Sequence, residues 1–232
     1  MSKVKIRSNH VQHVEFDLDF KRNPHQGRYI VLEGIDGSGK SVQSQELAAV
    51  FEKQGKKVHL VSEPRRTGII GNLINELLHK KIKLPAESLQ YLFVADRIAH
   101  QEEVIIPALK KGEIVISHRN FWSSIPYGIM DISKGDIQDN AQTLLIAQCI
   151  LSTYFQVMVP DVTIYLDVSA AVALKRLDKS GQEKEYYETE GKLRKVHHAY
   201  EWIIEKFPHE FVRINGDQEI KKVTDDIISC IK

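Results

Sequence analysis

The feature that most constrains this chain is a glycine-rich segment at residues 34–41, which reads GIDGSGKS. It matches the pattern G-x-x-x-x-G-K-S and follows an apolar run at residues 29–32, as expected for a loop between a buried strand and a helix. Glycines let the backbone curl so that successive N–H groups point inward, and the next helix adds its positive N-terminal end. The segment is therefore predicted to bind a polyphosphate. Lys40 is expected to reach the outer phosphates, and the Ser41 hydroxyl to bind a magnesium ion that bridges them.

A glycine-rich turn without a ligand is the simpler alternative for this segment. The helix that a phosphate-binding loop requires is nevertheless predicted directly after it, because Val42, Leu47, Val50 and Phe51 supply apolar positions at helical spacing. Gly55 marks the end of that helix. This context favours the phosphate-binding loop.

Composition limits the classes of protein to which the chain can belong. Its 232 residues suffice for one sizeable core, and a formal net charge of +1 gives no electrostatic argument for nucleic acid or an anionic membrane. No apolar run approaches the ~18 residues of a membrane span, and the polar first residues lack the apolar segment of a secretion signal. Cys149 and Cys230 lie in apolar runs that predict helix cores, without metal or redox spacing. We expect a soluble cytoplasmic protein with no nucleic-acid and no membrane partner.

Strand and helix patterns alternate from residue 29 to the C-terminus. Short apolar runs predict five strands, at residues 29–32, 57–61, 114–116, 162–167 and 211–214. Helical spacing of apolar residues between them, including a core helix over residues 144–159, predicts an α/β fold. We expect one domain over residues 29–232, with a five-stranded parallel sheet flanked by helices on both faces.

Residues 1–28 differ from the rest of the chain and are expected to form an N-terminal extension. Val14, Phe16, Leu18 and Phe20 alternate with acidic residues, which predicts a half-buried strand added at a sheet edge or at a subunit contact. A mobile tail is the alternative, because residues 1–9 carry little apolar surface.

Three further segments are expected near the phosphate-binding loop. Residues 63–68 follow the second strand and residues 118–124 follow the third, and ligands of parallel α/β sheets gather at that edge. Arg65 and Arg66 in the first segment suit an anion, or form an exposed basic loop without a ligand. The polar residues 178–190 form either a solvated loop or a lid that closes over phosphates.

Taken with these segments, the chain resembles the thymidylate kinases from about residue 29 to its C-terminus. The resemblance rests on LEGIDGSGKS at residues 32–41, LFVADR at residues 92–97, and Arg119 followed by Ser123, Ser124 and Tyr127. It implies a P-loop kinase fold, a homodimer, and transfer of the ATP γ-phosphoryl group to dTMP with magnesium. A kinase for a different pyrimidine nucleotide is an alternative, because Arg65 and Ser124 could alter the acceptor pocket.

The resemblance also implies roles for individual residues. The residues implied for ATP binding are Gly34, Gly37, Ser38, Gly39, Lys40, Ser41 and Arg176. Those implied for substrate binding are Asp36, Glu63, Arg66, Phe93, Arg97, Arg119, Ser124 and Tyr127. Lys40, Asp36 and Arg119 are the implied catalytic residues, and Ser41 the implied metal ligand.

More specifically, Asp36 is implied near the sugar hydroxyl of the acceptor and the magnesium shell. Phe93 would stack on the thymine, while Arg97 would bind its carbonyl edge. Ser124 and Tyr127 would line the base and sugar pocket. The acceptor phosphate would be held by Arg119 with support from Arg66, and Arg176 would lie against the adenine. These roles suit phosphoryl transfer, which depends on positioning and charge neutralisation.

Two departures from the family pattern concern the phosphates. His118 stands where the family usually has an aspartate that supports the magnesium hydration shell, and an imidazole cannot supply that negative charge. Asp36 or Glu63 could compensate. The expected lid carries Lys179 and Lys184 where related lids usually have arginines, and lysine lacks the bidentate fork of arginine. Slower catalysis than in a typical relative is one hypothesis, and a nucleotide-binding paralogue with little or no turnover is another.

Overall fold

The computed structural model describes residues 19–133, 137–138, 140–181 and 185–231. Within these ranges one sheet contains the strands β1 Arg28–Glu33, β2 Val58–Ser62, β3 Ile114–His118, β4 Val162–Asp167 and β5 Val212–Asn215. All neighbouring strands are parallel, in the order β2-β3-β1-β4-β5. The predicted α/β fold with a five-stranded parallel sheet is confirmed, although β1 begins one residue earlier than expected.

Helices connect and cover these strands. In chain order they are α1 Lys40–Lys53, α2 Gly68–Leu78, α3 Ala86–His100, α4 Ile106–Lys110, α5 Ser124–Ile132, α6 Ala141–Thr153, α7 Ala170–Ser180, α8 Glu190–Lys206 and α9 Ile220–Cys230. A π-helical turn at Gln101–Ile105 joins α3 to α4. The Gln101 amide exchanges two hydrogen bonds with the backbone of Met158, at 2.9 and 3.2 Å. This buried side chain ties the turn to the segment that enters β4.

The two faces of the sheet bury different side chains of the central strand β1. Ile30 and Leu32 pack on the side that carries α1 and α9, where Leu47 and Ile227 are fully buried. The alternating residues Tyr29 and Val31 pack on the opposite side. Because both faces are covered, the buried residues of β1 are apolar from Tyr29 to Leu32, as is usual in parallel sheets, and Glu33 at its end is the exception.

The N-terminal extension was predicted to contain a half-buried strand, and most of that segment lies outside the described residues. Phe20, the last residue of the predicted strand, is described and belongs to no strand. Its ring packs edge-on against Trp122 at 5.4 Å and Phe207 at 6.0 Å between centroids. The end of the extension therefore contributes to the core on the α8 side of the sheet.

Two expectations about the helices were wrong. The core helix predicted over residues 144–159 ends at Thr153, and the buried residues Val157 to Val159 follow it without helical structure. Cys149 and Cys230 are exposed free thiols and do not lie in helix cores. For α6 the reason is that Leu144, Leu145 and Cys149 occupy the face turned away from the core, so apolar character did not indicate burial.

The strand register brings the carboxyl ends of the strands to one edge. Leu32 of β1 lies beside His118 of β3 and Ile164 of β4, and His118 lies beside Ser62 of β2. The glycine-rich loop after β1 and the segments after β2 and β3 therefore meet at this edge, as expected. Among the described helices, none is long and apolar enough to cross a membrane.

Candidate active site

The glycine-rich loop turns the chain from β1 into α1. Gly37 and Gly39 have φ of 80° and 101°, in the left-handed region that favours glycine. A Cβ at Gly37 would lie 2.4 Å from the carbonyl oxygen of Ala173, so the loop packs too closely on α7 for a side chain. Gly39 is the N-cap of α1 and has no side chain to cap the first N–H groups. This helix N-terminus therefore suits an anion.

Lys40 lies inside the curl of the loop and is only 3% exposed. Its ammonium group donates hydrogen bonds to the carbonyl oxygens of Gly34 at 3.0 Å and Ile35 at 2.7 Å. Burial lowers the pKa of Lys40 to about 7, an effect that the charge of Arg119 increases and that of Asp36 opposes. A polyphosphate in the loop would offer this side chain stronger partners than two neutral carbonyls.

Two clefts open along the carboxyl edge of the sheet. The first, with about 790 Å³ of open space, is lined by Asp36, Glu63, Arg66, Phe93, Arg97, His118, Arg119, Ser124, Tyr127 and neighbouring residues. The second, with about 1350 Å³, is lined by the loop residues 36–41 and by His118, Arg66, Arg176 and Gly216 among others. Asp36 and His118 belong to both linings, so the two clefts meet beside the glycine-rich loop. The structure thus brings together the implied ATP-binding and substrate-binding residues in two adjoining spaces, except Gly34, which lines neither cleft and packs against the Leu166 carbonyl.

Asp36 and Arg119 form an ion pair at the boundary between the clefts. Nη2 of Arg119 lies 2.6 Å from Oδ1 of Asp36, and the Tyr127 hydroxyl donates to Oδ2 at 2.9 Å. Burial raises the pKa of the Asp36 carboxyl, but the charges of Arg119 and Lys40 and the two hydrogen bonds hold it at about 2. Asp36 is therefore an anion at neutral pH.

Arg119 is held by its backbone as well as by its side chain. It is a non-glycine residue at a φ of 73°, and its N–H donates to the Leu32 carbonyl at 3.0 Å. Burial lowers the pKa of Arg119, but nearby Tyr127 and Asp36 outweigh this effect and raise it well above the usual range. A strained backbone that the neighbouring strand holds in place is typical of functional positions.

A second buried arginine, Arg97, forms the wall of the first cleft with Phe93. Its Nε donates to Glu63 at 3.1 Å, and its Nη1 donates to Ser124 at 2.5 Å and to Tyr154 at 3.0 Å. The guanidinium lies 5.3 Å from the centre of the Phe93 ring. Both oxygens of Glu63 face protein partners, because its second oxygen lies 3.0 Å from Nδ1 of His100. Glu63 therefore positions Arg97 while it lines the cleft.

The adjacent arginines after β2 have different surroundings. Arg65 donates to Asp96 through both its backbone N–H and its Nε, at 2.8 and 2.9 Å, and binds Glu103. The Arg66 side chain is 73% exposed and lies 4.0 Å from Glu185. Arg66 lines both clefts, so it has the freedom to approach an anion in either one.

Arg176 joins α7 to the loop and to the turn after β5. It donates to the carbonyl oxygens of Ser38 at 3.4 Å and Gly216 at 3.0 Å. These contacts place it on the wall of the second cleft.

His118 ends β3 where the two clefts meet. Its Nδ1 lies 3.5 Å from the Ser41 hydroxyl oxygen. Burial, together with the charges of Lys40 and Arg119, holds the pKa of His118 well below its usual range. The ring is therefore a neutral imidazole that faces the first turn of α1.

The expected lid is described only in part. Lys184 lies outside the described residues, and Lys179 is exposed near the end of α7 and lines neither cleft. Glu185 contributes to both linings, and Tyr186 donates its N–H to the Leu78 carbonyl at 3.0 Å. The described residues after 184 therefore border both clefts, and closure of this segment over phosphates stays a prediction.

Two site residues were missed in the sequence. Tyr187 packs edge-on against Tyr127 at 4.7 Å and donates to Asp131 at 2.6 Å, which closes the first cleft. Glu33 is fully buried and accepts hydrogen bonds from Ser123 at 2.6 Å and from the hydroxyl of Tyr200 at 2.7 Å. A carboxylate inside an otherwise apolar strand was a signal for Glu33, because a buried acid requires partners.

Comparisons with known proteins agree with this geometry. The family model described as thymidylate kinase matches residues 32–227. A probable thymidylate kinase of Pyrococcus horikoshii is 34% identical over 212 residues, 89% of this chain and 97% of that relative. The thymidylate kinase of Thermoanaerobacter sp. (strain X514) is 32% identical over 211 residues, 89% of this chain and 98% of that relative. A solved structure of thymidylate kinase from Candida albicans has a TM-score of 0.74 and 26% identity, covering 90% of this chain and 92% of that one. The chain belongs to the thymidylate kinase family.

Proposed function

We propose that the protein transfers the γ-phosphoryl group of ATP to dTMP, giving dTDP and ADP. The observation that carries this proposal is the meeting of two clefts at Asp36 and His118, one lined by the phosphate-binding loop and the other by Phe93 and Arg97. Two adjoining sites allow donor and acceptor phosphates to approach each other, and holding them in line is most of the catalytic task. Membership of the thymidylate kinase family supports the choice of acceptor.

In the second cleft, the loop N–H groups and Lys40 bind the β- and γ-phosphates of ATP. Arg176 lies against the adenine, at the wall it shares with Gly216. Ser41 would hold a magnesium ion here, because its side chain is exposed in the first turn of α1 and offers a hydroxyl oxygen to this cleft. When bound, the ion neutralises charge on the β- and γ-oxygens.

In the first cleft, Phe93 stacks on the thymine and Arg97 donates to its carbonyl edge. Ser124 and Tyr127 line the base and sugar pocket, and Asp36 faces the sugar hydroxyl. Arg119 and the exposed Arg66 hold the acceptor phosphate. An oxygen of this phosphate then attacks the γ-phosphorus, the bond to the β-phosphate oxygen breaks, and the arginines and Lys40 stabilise the negative charge that develops.

The proposal is tested by measuring ADP release from ATP and magnesium with dTMP, dUMP, UMP, CMP or no acceptor. We expect turnover with dTMP well above that with the other acceptors. If turnover is highest with another pyrimidine nucleotide, that nucleotide is the acceptor and dTMP is not. Absence of turnover with every acceptor, in protein that still binds ATP, would indicate a nucleotide-binding paralogue.

We also propose that the protein is a homodimer that joins through α3 and α6. This face carries exposed apolar side chains: Tyr91, Ile98, Leu144, Leu145 and Phe155, of which Tyr91 and Leu145 are 67% and 64% exposed. The amide of Gln90 is buried beside it without a hydrogen-bond partner among the described residues. Large exposed apolar side chains on neighbouring elements are typical of a protein interface.

Light scattering tests the dimer. Leu145→Glu is expected to yield monomers, whereas the control Leu60→Glu, at an exposed position on the edge strand β2, is expected to remain dimeric. Dimers of unchanged stability in Leu145→Glu would contradict this interface.

We propose the cytoplasm as the site of action, where a reducing environment keeps Cys149 and Cys230 as free thiols.

A further inference from the structure

His118 lies at the sheet edge beside the first turn of α1. It ends β3, the strand directly beside β1, and its backbone pairs with Leu32 just before the phosphate-binding loop. In P-loop nucleotide hydrolases, a loop serine or threonine and an acid on a neighbouring strand share the metal. Here Ser41 is the hydroxyl residue, and the side chain 3.5 Å from its Oγ is an imidazole.

The carboxylates of this edge are engaged by protein partners. Both oxygens of Asp36 accept hydrogen bonds, from Arg119 and Tyr127. Both oxygens of Glu33 likewise accept, from the Asn120 N–H and from hydroxyl groups. Glu63 holds Arg97 and lies next to His100. Among the side-chain contacts described for these residues, it is the Nδ1 atom of His118 that reaches Ser41 Oγ.

The geometry of the pair suits two ligands of one ion. Adjacent ligands of a six-coordinate ion with bonds of ~2.1 Å lie roughly 3 Å apart, so a small rotation of either side chain closes the gap from 3.5 Å. The ring presents Nδ1 to Ser41, and this nitrogen offers a lone pair to an ion in the tautomer that carries its proton on Nε2. Imidazole nitrogen suits ions such as Ni²⁺, Fe²⁺ and Zn²⁺, whereas carboxylate oxygen suits Mg²⁺.

We propose that Nδ1 of His118 is a direct ligand of the nucleotide-bound divalent ion, and that it shifts the metal preference of this enzyme from Mg²⁺ toward transition ions that favour imidazole, such as Ni²⁺. The proposal rests on the proposed function only in placing ATP and its metal in the second cleft. Under this proposal His118 determines metal specificity, because an imidazole nitrogen replaces a carboxylate oxygen as the ligand.

Electron spin echo envelope modulation of the protein with Mn²⁺ and a non-hydrolysable ATP analogue tests the ligand directly. We expect the nitrogen coupling of a coordinated imidazole, and we expect it to change to the ¹⁵N pattern when only the histidines carry ¹⁵N. This comparison needs no variant, so a folding defect cannot obscure it. A coupling that is absent, or that is unaffected by the histidine label, would overturn the proposal.

Variants identify which histidine is responsible. The coupling is expected to disappear in His118→Asp and to persist in the control His197→Asn, which alters an imidazole outside both clefts. The ratio of the analogue affinity with Ni²⁺ to that with Mg²⁺ should fall roughly tenfold in His118→Asp, because a carboxylate suits Mg²⁺ and an imidazole suits Ni²⁺. An unchanged ratio would contradict a role in metal choice. If the proposed function is wrong but His118 is a metal ligand, dTMP is not phosphorylated with either ion and the imidazole nitrogen coupling is still observed.

Discussion

Nη2 of Arg119 and Oδ1 of Asp36 lie 2.6 Å apart, and this ion pair joins the end of β3 to the phosphate-binding loop. The pair lies where the two clefts adjoin, because Asp36 lines both clefts and Arg119 lines the first. Its two charges are stabilised by each other and by the Tyr127 hydroxyl. The predictions below follow from this pair and from the side chains next to it.

Arg119→Lys is expected to lower kcat/KM for dTMP at least roughly 100-fold, because an ammonium group cannot bind Asp36, Tyr127 and a phosphate together. Steady-state kinetics with purified protein measures this loss. Arg194→Lys is the matched control, since Arg194 is 63% exposed and pairs only with Glu190 among the contacts described. A loss of similar size in both variants would argue against a specific role for Arg119.

Asp36→Asn is expected to destabilise the protein at neutral pH by on the order of 2 kcal/mol. The pKa of Asp36 in the folded protein is about 2, below the 3.8 of the free side chain, so ionisation favours folding above about pH 4 and this contribution is lost as the pH falls toward 2. Urea unfolding at several pH values measures the gap in free energy of unfolding between the variant and the parent protein. This gap should be constant above about pH 5 and should narrow below about pH 4. A gap that stays constant at low pH would contradict the ion pair.

ATP binding at about pH 8 is expected to take up nearly one proton. The pKa of Lys40 is lowered by burial to about 7, so the free protein holds it mostly neutral at that pH, and bound phosphates raise the pKa again. Calorimetry in buffers of different ionisation enthalpy counts the protons. The control Lys40→Arg, which stays charged, should take up none, and equal uptake by both proteins would refute the assignment.

Phe93→Leu is expected to raise KM for dTMP about tenfold, since base stacking on an aromatic ring is worth ~1–3 kcal/mol. KM for ATP should stay unchanged, because Phe93 lines the first cleft and not the second. Leucine keeps much of the apolar volume at this buried position, which limits the loss of stability. Equal increases in both KM values would indicate general damage to the site.

Sequence patterns predicted the local features of this protein well. The GIDGSGKS segment, the five strands and the meeting of the segments after β2 and β3 all depend on short-range periodicity and on the shared edge of parallel strands. The exposure of Cys149 could not be predicted, because an apolar helix face turned away from the core has the same sequence pattern as one turned toward it.

Side-chain partners were also beyond the reach of the sequence. The hydrogen bonds of Glu63 to Arg97 and of Glu33 to Tyr200 join residues 34 and 167 positions apart. Nothing local indicates such pairs. Tyr187 was missed for the same reason, since its contacts with Tyr127 and Asp131 exist only after α5 and the residues before α8 meet.

The most direct test of the proposed activity is transfer of label from [γ-³²P]ATP to dTMP, with the products separated and counted. The account predicts labelled dTDP in proportion to enzyme and time, and its loss when Lys40 is replaced by Met. Labelled inorganic phosphate without labelled dTDP, or equal labelling of dTDP by the Lys40→Met protein, would contradict it.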